Sequence, residues 1–202
     1  MNPQETNSIK WSENVIIADA DYIDSVAFNL TVNFERMIGR RIPKADMSQW
    51  GVCIALDGGV RPGQHETQMV FVHDEDRRQM DNFQPADYAK ELDGQAFKDE
   101  KLGEFSINTI ATGKMTSKDE AILDVLCLAL ERPEVKRIMV IPNSEQGDLY
   151  ATIRQTLRQV DDEKRITVFA MQPMEGGNFR QEILGYSLMS ALGISAGEVN
   201  SY

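Results

Sequence analysis

Short apolar runs recur along the chain, mostly without the apolar–polar alternation that marks a half-exposed strand. Runs of this kind are typical of strands buried on both faces, as in a parallel sheet covered by helices. The runs predict four strands, at residues 15–18, 52–56, 137–141 and 166–171.

Between these runs, apolar residues recur at the spacing of an amphipathic helix. Gly39 and Gly193 follow two such segments, at the position where a left-handed residue often ends a helix. One segment is apolar on nearly every side, so we expect it to be deeply buried; it spans residues 118–131. The helices are predicted at residues 25–39, 118–131, 148–160 and 179–192.

This alternation predicts the fold class α/β, as a three-layer α/β/α sandwich around a mainly parallel, Rossmann-like sheet. Residues 67–73 follow a glycine-rich turn and predict an antiparallel edge strand. Residues 74–115 are polar and predict an irregular excursion. Within it we expect a short helix near 85–92 and a strand near 105–110.

Length and composition restrict the class of protein. A chain of 202 residues suits one domain, which we expect over residues 11–195, with disordered tails at 1–10 and 196–202. The net charge of −11 disfavours non-specific wrapping of duplex nucleic acid, which depends on neutralisation of phosphates by Lys and Arg. No apolar stretch approaches the roughly 18 residues of a membrane span. Since residues 1–10 also lack the apolar segment of a signal peptide, we expect a cytoplasmic protein.

Cysteines, histidines and glycines limit the chemistry further. Cys53 and Cys127 each lie within an apolar run, so we expect reduced thiols in the core and no disulfide. His65 and His73 are the only histidines in the sequence, which excludes a His-rich zinc site. The turn after the first predicted strand contains no glycine, so no nucleotide cofactor is indicated.

Carboxylates are predicted to gather at one edge of the sheet. The carboxyl ends of parallel strands and the first turns of crossover helices lie at the same edge, where such folds bind ligands. Asp19 and Asp21 follow the first strand, while Asp119 and Asp148 begin later helices. Converging carboxylates suit Mg²⁺ or Mn²⁺, which prefer oxygen ligands. Helix geometry is the alternative explanation, since the helix dipole favours acidic residues near an N-terminus, and it covers Asp24 as the start of the first helix.

Four stretches resemble, in their order along the chain, the PIN-like nucleases and particularly their NYN branch: ADAD at 18–21, KDE at 118–120, IPN at 141–143 and GD at 147–148. The resemblance implies a PIN-like sheet and a ribonuclease that depends on Mg²⁺ or Mn²⁺. Asp19, Asp119 and Asp148 would hold the metal, and Asp21 would help to orient water in the catalytic site. Asn143 stands where that branch usually carries an Asp, so a degenerate binding module without catalysis is the alternative.

A basic cluster near the end of the first predicted helix offers a contact for the phosphate backbone of RNA. Arg36, Arg40 and Arg41 are expected, together with Asn143, to bind this substrate. The structural alternative is a solvated helix end whose cations complement the C-terminal dipole.

The chain as a whole is similar to a family of uncharacterised bacterial proteins, through the segments RIMVIPN at 137–143 and FAMQPMEGGNFRQEILGYSLM at 169–189. That resemblance implies no mechanism. Asn143, the acidic composition and the last predicted helix favour the alternative function, a non-catalytic α/β module that binds a protein partner or a second copy of itself. A homodimer would use the apolar face of the last predicted helix, formed by Phe179, Ile183, Leu184, Leu188 and Met189.

Overall fold

The computed structural model describes residues 10–161 and 163–199 and shows one large sheet with helices on both faces. The strands are β1 (Asn14–Asp19), β2 (Ala45–Asp46), β3 (His65–Asp74), β4 (Phe83–Gln84), β5 (Ala96–Asp99), β6 (Gly103–Thr112), β7 (Arg137–Ile141), β8 (Arg165–Ala170) and β9 (Arg180–Ile183). The α-helices are α1 (Ala20–Ile38), α2 (Met47–Asp57), α3 (Lys118–Glu131), α4 (Leu149–Thr156), α5 (Leu184–Ala191) and α6 (Ala196–Val199). A π-helix spans Tyr88–Leu92 and a 3-10 helix spans Leu157–Gln159.

The main sheet has seven strands in the order β5-β6-β3-β1-β7-β8-β9. Every neighbouring pair is parallel except β5 with β6. Numbered along the chain, the parallel strands therefore lie in the order 3-2-1-4-5-6, which is that of the doubly wound Rossmann fold. The predicted α/β class and three-layer arrangement are confirmed. β2 and β4 pair with each other in a separate ladder.

Helices cover the two faces of this sheet and bury two separate apolar cores. Successive side chains of a strand point to opposite faces. Ile16 of β1 accordingly packs with residues of α1, α2 and α5, whereas Val15 and Ile17 pack with residues of α3 and α4. All residues of β1 are buried, so the first predicted strand is confirmed as a central one.

The predicted strand at residues 52–56 is wrong, because these residues belong to the helix α2. The Asp46 side chain caps this helix by accepting a hydrogen bond from the backbone N–H three residues later. Met47, Trp50 and Ile54 are buried at the spacing of a helix that covers a sheet. The apolar run taken alone is too short to show this period.

The antiparallel edge strand is β5, so its predicted location at residues 67–73 is wrong. Those residues lie in β3, which is buried along that stretch and pairs in parallel with both β1 and β6. The strand expected near 105–110 is confirmed as part of β6. The helix expected near 85–92 is the short π-helix. Residues 74–115 thus contribute two strands, β5 and β6, to the main sheet.

α1 begins at Ala20, earlier than predicted, because the Asp19 side chain accepts a hydrogen bond from the backbone N–H of Tyr22 and caps the helix. Gly39 follows α1 in the left-handed conformation with φ 68°, as predicted. Asp24 consequently lies inside the helix. Its predicted role at the start of a helix is wrong.

The predicted helix at 118–131 is confirmed as α3, but it is not buried on nearly every side. Its outer side is exposed at Asp124 and Cys127, so Cys127 is not a core residue. Cys53 is half-buried, and both cysteines carry free thiols, as expected. The helix predicted at 148–160 is α4, continued by the 3-10 helix.

Residues 179–192 form a strand and a helix instead of the single helix predicted. β9 pairs in parallel with β8, and α5 follows it directly. Leu184 and Leu188 are fully buried in the core that covers the sheet, so they do not form a surface. Gly193 has a φ of 66° and follows the helix, as predicted.

The two ends of the chain were predicted as tails. Residues 1–9 and 200–202 lie outside the described residues, whereas residues 196–199 form the short helix α6. Within the described ranges, none of the helices combines the length and the apolar character needed to cross a membrane.

Candidate functional site

The carboxyl ends of β1 and β7 meet at the point where the winding of the sheet changes direction. The chain leaves β1 into α1 on one face, and after β7 it enters α4 on the other face. Doubly wound folds bind ligands in the crevice that this change opens. The side chains at this edge therefore form the candidate site.

Three carboxylates and one ammonium group meet at this edge, and we name them the acidic cluster: Asp19, Asp21, Asp74 and Lys118. They come from the end of β1, the first turn of α1, the end of β3 and the start of α3. Lys118 Nζ lies 3.2 Å from Asp19 Oδ1 and 2.8 Å from Asp21 Oδ2. It also lies 3.6 Å from Asp74 Oδ2. One cationic nitrogen is thus shared by carboxylates from three elements.

Asp19 is the most deeply buried carboxylate of the acidic cluster, with 1% of its side chain exposed. Burial raises the pKa of its carboxyl group, while the Lys118 ammonium group and the Tyr22 backbone N–H oppose the rise. Because the same carboxylate caps α1, its position is fixed by the helix start.

The first turn of α3 places Lys118. Ser117 and Glu120 form a capping box, in which the Ser117 hydroxyl oxygen accepts from the Glu120 N–H and the Glu120 carboxylate accepts from the Ser117 N–H. Burial lowers the pKa of Lys118, but attraction to Asp19 and Asp21 outweighs that effect and raises the pKa above its ordinary value. The ammonium group therefore remains charged at neutral pH.

Asp21 joins the start of α1 to the end of β3 and to the loop that follows. Its Oδ2 accepts hydrogen bonds from the Asp74 backbone N–H, at 2.9 Å, and from the Lys118 ammonium group, at 2.8 Å. Arg77 Nε lies 3.8 Å from the other carboxylate oxygen, Oδ1. The sequence contains no local signal for Asp74 or Arg77 in this role.

Asp24 fixes the loop beside the acidic cluster. Its buried carboxylate accepts hydrogen bonds from the backbone N–H groups of Asp81, at 3.1 Å, and Asn82, at 2.8 Å. Arg77 Nη2 lies 3.1 Å from the same carboxylate. These partners are more than fifty residues away along the chain, so periodicity and spacing do not indicate them.

The hydroxyl group of Tyr88 is buried next to the acidic cluster. The Tyr88 ring stacks on the His73 ring, with 3.7 Å between the centroids and 6° between the planes. Burial raises the pKa of Tyr88, and the negative charges of Asp21 and Asp24 raise it further. The hydroxyl makes no hydrogen bond to any residue that the structure describes.

Asp119 and Asp148, the other predicted metal ligands, border the loop between β7 and α4. Asp119 Oδ2 is 3.7 Å from the position that a Cβ atom on Gly147 would take. Asp148 is exposed, and its side chain does not cap α4. Among residues 10–161 and 163–199, no three His, Cys, Asp or Glu side chains are arranged to hold a metal ion as they stand.

The loop after β7 packs over the first turn of α1. Asn143 Oδ1 accepts a hydrogen bond from the Glu145 backbone N–H, at 3.1 Å, and thereby shapes the loop. The Tyr22 hydroxyl lies beside Ser144 and Glu145, and burial raises its pKa. The loop that Asn143 shapes therefore lies beside the first turn of α1.

The predicted phosphate-binding arginines lie at the other end of α1. Arg40 donates to both carboxylate oxygens of Glu198, at 2.6 and 3.0 Å. Arg41 Nη1 lies 3.3 Å from Glu35 Oε2, and Arg36 is exposed. α1 has 19 residues, and a helix of that length spans about 28 Å. The structure therefore does not bring these arginines to the acidic cluster.

The protein is an α/β protein of the doubly wound kind. Its acidic cluster lies at the carboxyl ends of the parallel strands. Residues 8–199 match a family described as a family of unknown function (DUF6621), and the chain belongs to that family. The expected membership of an uncharacterised family is confirmed. No curated protein and no solved structure matches the chain.

Proposed function

We propose that the protein is a PIN-like ribonuclease dependent on Mg²⁺ or Mn²⁺, with its active site at the acidic cluster. The observation that carries the proposal is the position of Lys118 Nζ within 3.6 Å of three carboxylates. Carboxylates this close repel one another, so the cluster has a strong preference for a positive charge at its centre. Hard divalent cations satisfy that preference because they take oxygen ligands.

The present spacing of the oxygens suits an ammonium group. The three carboxylates lie 2.8 to 3.6 Å from Nζ, whereas the oxygen ligands of Mg²⁺ lie at about 2.1 Å. A divalent cation therefore requires Lys118 to withdraw and the carboxylates to close in.

A bound cation would supply a nucleophilic water at neutral pH and would stabilise the leaving oxygen of a phosphodiester. Asp19 and Asp21 would bind it, because their carboxylates are the two that lie nearest to Lys118 Nζ, at 3.2 and 2.8 Å. Asp119 and Asp148 border the crevice and would accept hydrogen bonds from water. Lys118, once displaced, would place its ammonium group against the phosphate.

The choice of RNA as substrate rests on the resemblance of the motifs around Asp19 and Asp119 to the PIN-like nucleases. Those motifs come from two distant parts of the chain, and Lys118, next to Asp119, reaches Asp19. The contact brings the two motifs together at one edge. It supports the proposal because an active site of this kind requires them to meet.

A non-catalytic binding module is the second candidate, and the same ammonium group favours it. Lys118 already neutralises part of the charge of Asp19 and Asp21, and an ion pair of this kind stabilises the fold without any ligand. Asn143 in place of a carboxylate points in the same direction. In this case the partner would be a protein or a second copy of the chain.

Cleavage of an end-labelled single-stranded RNA, with Mn²⁺ or with EDTA, tests the proposal. We expect cleavage that depends on Mn²⁺. Its rate should fall by about 100-fold or more in Asp19→Asn, because a carboxylate proposed to bind the metal is lost. Asp124→Asn is the matched control, since Asp124 is an exposed carboxylate on the outer side of α3. It should cleave like the wild type.

Two results would overturn the proposal of a ribonuclease with its active site at the acidic cluster. The first is that Mn²⁺ raises the melting temperature of the protein but the protein does not cleave the RNA. The protein would then be a cation-binding module. The second is cleavage of equal rate in Asp19→Asn, which would place the activity elsewhere. Light scattering on the same samples tests the homodimer of the second candidate.

A further inference from the structure

Four arginines cluster at the opposite, amino-terminal edge of the sheet. Arg137, Arg165 and Arg180 are the first residues of β7, β8 and β9, and Arg61 lies in the loop between α2 and β3. Arg137 and Arg165 are direct partners on neighbouring parallel strands, which places their backbones about 4.8 Å apart. We name these four residues the arginine cluster.

The guanidinium groups of Arg137 and Arg180 converge over the turn that follows α2. Arg137 Nη1 donates a hydrogen bond of 2.7 Å to the carbonyl oxygen of Gly58. A Cβ atom on Gly59 would lie 2.9 Å from Arg137 Nη1 and 3.2 Å from Arg180 Nη1. Gly59 has a φ of 89°, so a glycine here serves both the turn and the close approach of the two cations.

The arginine cluster is incompletely neutralised by the protein. Arg180 pairs with Glu182 at 2.7 Å. Arg61, Arg137 and Arg165 have no carboxylate within the 4.0 Å of an ion pair in the described part of the chain. Burial lowers the pKa of Arg137, and repulsion from the other three arginines lowers it further, while the Glu13 carboxylate opposes both effects. The chain carries 32 acidic and 21 basic residues, so this concentration of positive charge is contrary to its overall composition.

Two cavities flank the arginine cluster, with volumes of about 220 and 230 Å³, and Arg137 and Arg165 line both. Each is smaller than the roughly 300 Å³ at which sites for whole small molecules begin. Carboxylates of Glu13, Asp161 and Glu163 also line them, but basic residues outnumber these. The basic residues are Arg61, Lys136, Arg137, Lys164, Arg165 and Arg180.

We infer that the arginine cluster binds a phosphate or diphosphate group, whose oxygens Arg137 and Arg165 would contact because both side chains line the two adjoining cavities. The guanidinium fork matches two oxygens of a phosphate and is the preferred protein group for that anion. The ligand is a free diphosphate or the phosphorylated 5′ end of an RNA, which share this chemistry. None of the residues involved belongs to the acidic cluster, so this site and the proposed ribonuclease can fail independently.

Calorimetric titration with inorganic pyrophosphate tests the site. We expect binding by the wild type that weakens about tenfold or more in Arg165→Gln and in Arg61→Gln, as the loss of a hydrogen bond between charged groups predicts. Both side chains are exposed and make no side-chain hydrogen bond to described residues, so the variants should fold. Lys98→Gln removes one exposed positive charge from the distant strand β5 and should bind like the wild type.

Two further arms assign the source of the phosphate. An oligoribonucleotide with a 5′-phosphate that binds more tightly than its 5′-hydroxyl form, with the difference lost in Arg165→Gln, supports the RNA end. Binding of pyrophosphate without that difference supports a free diphosphate. Absence of pyrophosphate binding, or equal binding by the wild type, Arg165→Gln and Arg61→Gln, overturns the inference.

Discussion

Replacement of Lys118 by methionine tests the charge balance of the acidic cluster. The change keeps most of the side-chain volume but leaves Asp19, with 1% of its side chain exposed, without its countercharge. Breaking a buried ion pair costs about 3 to 5 kcal/mol. Lys118 is 19% exposed and Asp21 keeps Arg77 nearby, so we expect the free energy of unfolding at neutral pH to fall by about 2 to 4 kcal/mol.

The cost should depend on pH with a definite sign. Burial already raises the pKa of Asp19, and loss of the ammonium group should raise it further. Between the unfolded and folded pKa values of this carboxyl, the folded state binds more protons, so stability rises as the pH falls. The deficit of Lys118→Met should therefore shrink when the pH is lowered from neutrality to about 5.

Urea unfolding of the wild type and Lys118→Met at both pH values measures the effect. Lys114→Met is the control, because it removes an exposed ammonium group a few residues away. Mn²⁺ at 100 times its dissociation constant for Lys118→Met should stabilise that variant by about 2.7 kcal/mol, and the same Mn²⁺ concentration should stabilise the wild type by less. A deficit that is absent, or equal at the two pH values, would refute the electrostatic reasoning.

Three further substitutions test other contacts. Asp24→Asn removes the charged acceptor of the hydrogen bonds from residues 81 and 82 and should lower the free energy of unfolding, measured in urea, by about 2 kcal/mol. A loss below about 0.5 kcal/mol would contradict the role of Asp24 in holding this loop. Gly103→Ala should cost at least about 2 kcal/mol, because Gly103 has a φ of 95° and a Cβ atom there would collide with the His65 backbone; a melting temperature equal to that of the wild type contradicts it. In nuclear magnetic resonance titrations, the pair with Arg40 should hold the pKa of Glu198 at about 2. The stabilisation of the folded state by the Arg40–Glu198 pair is then fully present above the ordinary carboxyl pKa. It is lost as the pH falls through the pKa of Glu198 in the folded state. Arg40→Gln should return that pKa toward 4.5, and an unchanged pKa contradicts the pair.

The parallel sheet could be predicted from the sequence because its central strands are continuous apolar runs. β1, β7 and β8 are read from this pattern, and the fold class follows from their alternation with helices. The run at 52–56 has the same composition but lies in α2. It was predicted as a strand because the helical period is visible only when Met47 and Trp50 are included. β9 was missed because Arg180–Ile183 is polar, so its pairing with β8 has no apolar signal.

The location of the candidate site could be predicted more fully than its contacts. Asp19 and Asp21 follow from the rule that ligands bind at the carboxyl ends of parallel strands. Lys118 could not be predicted as the centre of the cluster, because its place depends on how the first turn of α3 lies across β1 and β3. Asp74 was missed because its strand was expected at the edge of the sheet.

The central claim is that the acidic cluster is a divalent-cation site in which Lys118 occupies the position of the ion. A crystal structure of the protein soaked in Mn²⁺, with anomalous scattering measured at the manganese edge, tests it most directly. We predict a manganese peak about 2 to 2.5 Å from carboxylate oxygens of Asp19 and Asp21, with the Lys118 ammonium group displaced. No peak at the cluster, with Lys118 still bound to both carboxylates at saturating Mn²⁺, would contradict the account.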